Sequence, residues 1–256
     1  GGRDPHLLGY NDYAVDPRTL PDDDPRTSSL SYDNVLPGFE TLIYHEYDSP
    51  EYFEDLRSKG YPEWLLTPKT VHQPKVPDNG PGDHLSLRYP AYYKAEDCEA
   101  RFLTNKAIDY VTSSKGSGWV LNVNYVKPHP PRICSAPFND MYDPAEMPEA
   151  VRDPEELKGL HPYQKLMHAN PELQSERDLR ETQANYFGMI TEIDTSLGLL
   201  FDALETTSQW NETVIVFSSD HGEYLGDHYL TGKGHIYDSG MRVPLIVRDP
   251  SRAADT

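Results

Sequence analysis

The chain has 256 residues, with 42 acidic against 23 basic side chains and a formal net charge of −19. That field opposes nucleic-acid binding through a basic, phosphate-reading surface. No apolar run approaches the roughly 20 residues of a membrane span. At 37% hydrophobic residues and 23 prolines, the sequence supports a core surrounded by much surface loop. Cys98 and Cys134 have no metal-ligand spacing and are too few for a disulfide framework, so they read as free thiols, and the expected compartment leans to cytoplasm.

Residues 1–90 show no long helical periodicity. Asp16-Pro17-Arg18, Asp22-Asp23-Asp24-Pro25-Arg26 and the stretch from Pro77 to Gly82 are turn chemistry. The three consecutive aspartates read as a solvated acidic loop rather than calcium ligands. His45, His72 and His84 follow no ligand spacing and read as surface residues.

From about residue 95 regular elements appear. Phe102, Leu103, Ile108 and Val111 predict an amphipathic helix over 96–114, broken by Gly116 and Gly118. Residues 119–126 then form an apolar run suited to a strand buried on at least one face. Pro128, Pro130 and Pro131 stop it, because proline cannot continue the ladder. Residues 139–174 read as a Pro-rich surface excursion. A long helix is predicted over 175–206, with Tyr186, Ile190, Ile193, Leu197, Leu200 and Leu204 as its core stripe. A buried strand is expected at 213–218 and one more short strand at 243–247. Alternating helices and strands predict an α/β core with a largely parallel sheet.

In such sheets the chemistry gathers beyond the carboxyl ends of strands. Two candidate ends stand out. One leads to His129, and the other to Asp220-His221-Gly222-Glu223. A carboxylate and an imidazole leaving a strand together reach one cation if the turn bends, and Gly222 permits the bend. An imidazole among the ligands favours Mn²⁺, Zn²⁺ or Fe²⁺ over Ca²⁺ or Mg²⁺. Two ligands are too few, so more must come from elsewhere. Lys233, between Gly232 and Gly234, is placed to approach an anion as a point charge.

The string from Ser219 to His228, then Gly232-Lys233 and Arg242 to Val247, resembles the C-terminal half of the sulfatase motif set in the alkaline phosphatase superfamily. It is most similar to the phosphonate monoester hydrolase and phosphodiesterase branch. Lys127-Pro128-His129-Pro130-Pro131-Arg132, the run from Tyr186 to Asp194, and Gly9-Tyr10 followed by Asp16-Pro17-Arg18-Thr19 also fit that branch. The resemblance implies an alkaline-phosphatase-like, mostly parallel sheet flanked by helices. It implies Asp220 and His221 as ligands of one divalent metal ion, with Mn²⁺ favoured and Ca²⁺, Zn²⁺, Fe²⁺ or Mg²⁺ left open. Lys233 would contact the non-bridging oxygens of a small anionic ester, His129 would serve the leaving group, and Tyr10 would line the pocket. Asp12 stands where the branch more often has a neutral polar residue. No nucleic-acid or membrane partner is implied, and the intact parent is open to homo-oligomers.

The family's formylglycine nucleophile arises in a Cys/Ser-x-Pro-x-Arg motif. Cys98 is followed by Glu99-Ala100-Arg101 and Cys134 by Ser135-Ala136-Pro137, so neither fits. The chain is therefore expected to be a partial catalytic domain over 1–256, cut at both ends. Residues 1–90 would be its loop-rich portion and 91–256 its α/β core with the metal motif. Two alternatives remain: a non-catalytic acidic interaction module, and a related phosphodiesterase or phosphatase with a Ser or Thr nucleophile.

Overall fold

The computed structural model describes residues 5–11, 15–24, 27, 38–45, 49–77, 88–168 and 175–252. Asp12, Pro25, Arg26, His84 and the segment 78–82 lie outside the described residues.

Three short strands form a parallel sheet: β1 (Pro5–Gly9), β2 (Glu40–Tyr44) and β3 (Val120–Asn124), in the order β2-β1-β3. Five-residue strands such as Pro5-His6-Leu7-Leu8-Gly9 hold too few apolar residues to show a period, which is why the sequence of 1–90 hid two of the three. Gly9 is fixed by its neighbour. Its φ is +108°, and a Cβ there would lie 2.1 Å from the carbonyl oxygen of Asn124.

The main core cluster packs against this sheet, and the consecutive Leu7 and Leu8 of β1, which point to opposite faces, are both buried. Helix α1 (Pro50–Ser58) contributes Tyr52 and Leu56, both fully buried, and α2 (Glu99–Ser113) contributes Phe102, Leu103, Ala107 and Val111. Leu121 and Val123 of β3 pack against the same cluster, while Val120 points to water. A short helix, α3 (Pro162–His168), and three turns of 3₁₀ helix punctuate the excursion after residue 137, where Phe138 and Met147 are buried. The two cysteines are free and buried, and burial pushes both thiols up to about 12.

His45 and His72 are not surface residues. His45 is fully buried at the end of β2, with its Nε2 2.7 Å from Glu99 Oε1, and His72 Nε2 lies 3.9 Å from the same oxygen. Burial alone would raise the Glu99 carboxyl. The His45 hydrogen bond and the charges of His45, His72 and Lys127 overcome it and hold Glu99 at about 2. Burial lowers the His72 imidazole, against the partial pull of Glu99. Spacing rules see only local ligands. These three residues meet only after the chain has folded.

The long helix α4 (Glu176–Thr206) starts at Ser175, whose Oγ accepts from the Asp178 amide at 3.1 Å. It packs along α2. The expected stripe is only partly its inner face: Ile193 and Leu204 are buried, but Ile190 is exposed. The inner face instead carries Asn185, Met189, Glu192 and Ser196, with Gln183 buried on another side near the helix start. Glu192 accepts from Lys127 Nζ and from Ser135 Oγ, and from the Ser135 amide at 3.0 Å. An apolarity count misses buried polar groups that are satisfied by loops distant in sequence.

Strand β4 (Ile215–Ser218) pairs antiparallel with β5 (Leu245–Arg248) as a separate ribbon, outside the parallel sheet. The sequence predicts burial for the first of them. Val216 is instead 63% exposed and Leu245 69%, because no other element among the described residues covers the ribbon. No helix among the described residues is long and apolar enough to cross a membrane.

Candidate metal and anion site

Strands β1 and β3 run side by side, so the residues leaving their carboxyl ends share one edge of the sheet. Tyr10 is the first residue past β1. Its amide donates to Asn124 O at 3.0 Å, and its carbonyl accepts from Asn124 Nδ2 at 2.7 Å. β3 continues through Lys127 to His129. The Lys127 ammonium is buried against Glu192 and also donates to the Tyr93 hydroxyl at 3.1 Å, which anchors the first residue of that loop. His129 Nδ1 lies 2.7 Å from the carbonyl oxygen of Pro130. A carbonyl can only accept, so Nδ1 carries the proton and Nε2 is the nitrogen left for chemistry.

Beyond β4, Asp220 and His221 adopt the same device. His221 Nδ1 lies 2.7 Å from Gly222 O and so is protonated, while the His221 amide donates to Asp220 Oδ1 at 2.9 Å. The two remaining ligand atoms, His221 Nε2 and Asp220 Oδ2, stand 3.4 Å apart. Two donors at about 2.0–2.2 Å from one divalent ion have about this separation. A backbone acceptor on the far ring nitrogen is the usual way to orient a metal-binding imidazole. The pair therefore fits two corners of a metal site. Among the described residues no third His, Cys, Asp or Glu completes it. Gly222 is needed for closeness: a Cβ there would lie 2.1 Å from Ser239 O.

Lys233 lies on a loop pinned at both sides. The Gly232 amide donates to Glu223 Oε1 at 2.5 Å and its carbonyl accepts from the Tyr224 amide at 3.1 Å, while Tyr163 of α3 donates to Gly234 O at 3.3 Å. The Lys233 side chain is exposed, and no carboxylate among the described residues forms an ion pair with it. His228 stacks on Tyr237 at 4.0 Å, and its Nδ1 is 2.8 Å from Glu156.

Of the residues singled out from sequence, Asp220 and His221 are in direct contact. Tyr10 and His129 share the sheet edge, and Lys233 joins the set through its neighbour Gly232. Three participants were missed. Glu223 and Arg132 form a buried ion pair at 3.1 Å between the His129 and Asp220 loops. Tyr186 lies within electrostatic reach of Glu223, Arg132 and Asp220. Burial, then the charge of Glu223, pushes its hydroxyl up to about 12, with Arg132 pulling against them and Asp220 adding a smaller push, so it stays an O–H donor. All three sit inside the recognised motif strings, and that position was the available signal.

The family profile described as Sulfatase matches residues 8–255. The multifunctional alkaline phosphatase superfamily protein PehA of Trinickia caryophylli is 33% identical over 97% of this chain and 50% of its own length. An arylsulfatase of Clostridium perfringens is 28% identical over 74% of this chain and 40% of its own. Among solved structures, the phosphonate monoester hydrolase of Agrobacterium radiobacter superposes with a TM-score of 0.86 at 31% identity, covering 98% of this chain and 51% of that one. The phosphonate monoester hydrolase of Silicibacter pomeroyi gives 0.85 at 31% identity, covering 97% and 51%. The chain thus spans about half the length of these phosphonate monoester hydrolases and of PehA.

Proposed function

Because the chain belongs to the sulfatase family, whose profile matches it from residue 8 to 255, we propose that it forms the central part of a metal-dependent hydrolase of phosphonate monoesters, phosphodiesters or sulfate esters. The observation that carries this reading is the Asp220–His221 pair, oriented by backbone and followed two residues on by Glu223, whose carboxylate binds the Lys233 loop at the Gly232 amide. A divalent ion bound there, Mn²⁺ by preference, would supply charge neutralisation at an ester oxygen.

The chain's own residues divide the remaining work. Lys233 binds the anionic head of the ester as an exposed point charge without a neutralising carboxylate. His129, with its proton fixed on Nδ1, presents Nε2; once protonated there, that nitrogen donates to the leaving-group oxygen. Tyr10 lines the edge of the pocket. Neither Cys98 nor Cys134 lies in a formylglycine motif and both are buried as thiols, so neither is assigned as the nucleophile.

The test is hydrolysis of aryl phosphonate, phosphodiester and sulfate esters with Mn²⁺ by the longer polypeptide that contains these residues. His129→Ala and Lys233→Ala are each expected to lower kcat/KM by about 100-fold or more. A double variant with full activity refutes the assigned roles. Mn²⁺ titration of the 256-residue chain by electron paramagnetic resonance reads the metal pair directly: Asp220→Asn or His221→Ala must weaken binding.

A further inference from the structure

Three loops carry the proposed site, and a single carboxylate touches all of them. Glu223 follows Asp220 and His221 directly. Its Oε2 accepts from Arg132 Nη2 at 3.1 Å, and Arg132 closes the loop that bears His129. Its Oε1 accepts from the Gly232 amide at 2.5 Å, beside Lys233, and from the Leu225 amide at 3.3 Å. Both members of the ion pair have side chains only 8% exposed. We propose that Glu223, paired with Arg132, is the positioning residue that sets the register of His129, Asp220–His221 and Lys233 relative to one another. The inference rests on the functional reading above for the meaning of those residues.

Ordinary tertiary adhesion is the competing account, and energetics count against it. A desolvated ion pair gives little net stability, and a well-packed apolar pair often replaces it at no loss. What such a pair does better is fix geometry, since a carboxylate accepts from several directed donors at once. The surrounding contacts point the same way. Asn185 of α4 donates to the carbonyl of Arg132, and Gln183, two residues earlier, donates to Leu225 O at 3.1 Å. Both loops thus hydrogen-bond to the same turn of one helix, from different sides of it, and Glu223 ties them to each other. The Glu223 carboxylate reaches the Lys233 loop at the Gly232 amide, next to the Tyr224 amide's bond to the Gly232 carbonyl, and so connects that loop to Arg132.

The experiment is side-chain and amide NMR of the 256-residue chain, which needs no turnover. Glu223→Ala is expected to shift the ring resonances of His129 and His221 and the amides of Gly232 and Lys233, with those of Leu7, Leu56 and Leu103 unmoved. Glu223→Gln keeps an acceptor for Gly232 but loses the charge that holds Arg132. It should restore the Gly232, Lys233 and His221 signals and leave His129 displaced. Arg132→Gln should displace His129 alone. Unmoved His129 and Lys233 signals in Glu223→Ala overturn the proposal. So do shifts spread evenly through the sheet that Glu223→Gln does not reverse. If Glu223→Ala does not fold, the pattern of Glu223→Gln against Arg132→Gln decides. Shifts without any hydrolysis leave the positioning intact and sink the reaction; hydrolysis without the shifts does the reverse.

Discussion

The sheet of β1–β3 with α1 and α2 contrasts with the β4–β5 ribbon and its loops. In the first region Leu8, Leu56 and Leu103 are fully buried, and even charged groups such as Glu99 and Lys127 are dry and paired. In the second, Val216, Phe217, Leu245, Ile246 and Val247 face water, while the loops at residues 223–235 are attached by buried Tyr224 and Leu230 together with polar contacts. One region rests on a continuous apolar cluster, whereas the other buries only a few side chains in its loops and adds directed bonds that fix their placement. The proposed site lies where they meet. Polar contacts suit that seam, because they fix angles that nonpolar packing leaves loose.

Breaking the buried pair under the His129 loop should have the largest effect on stability. Glu192→Ala leaves the Lys127 ammonium uncompensated in the core and is expected to cost about 3–5 kcal/mol, read by urea denaturation. A cost under about 1 kcal/mol would show that Lys127 finds water. Leu103→Ala, in the packed region, should cost about 2–5 kcal/mol by the same measurement. Val216→Ala, on the ribbon, should stay within about 0.5 kcal/mol. Equal losses at 103 and 216 would erase the contrast between the two regions.

Acid sharpens it further. Glu99 is held at about 2 when folded, below its ordinary 4.5, so its contribution is present above that ordinary value and fades as pH falls from about 4.5 through about 2. His72, lowered by burial, acts in the same direction, because the unfolded chain binds its proton first. Thermal melts from pH 7 down to pH 3 should therefore show Tm falling, and Glu99→Gln should flatten the acidic part of that slope. The smallest change expected is at Ile246→Thr: no measurable shift in Tm, with reduced self-association by light scattering, since it removes an exposed apolar group.

Much was legible before folding because it is local. The 3.6-residue period located α2 and α4 to within a few residues, the prolines of 128–131 ended β3, and the order Asp220, His221, Lys233 marked the candidate site. Strands β1 and β2 were not legible, since five residues in a parallel sheet carry no distinctive period. Burial along α4 was misjudged for another reason. Gln183, Asn185 and Glu192 are buried because loops some forty to sixty residues away supply their partners.

The sequence by itself determined the α/β alternation and the family, and it named the candidate site residues, because residue type and spacing are properties of a short stretch of chain. Only the tertiary structure decided that His45, His72 and Glu99 form one buried cluster, that the β4–β5 ribbon lies bare, and that Glu223 joins three loops. Each depends on pairing groups far apart in the chain. Burial and hydrogen-bond partners are assigned by folding, and no local pattern encodes them.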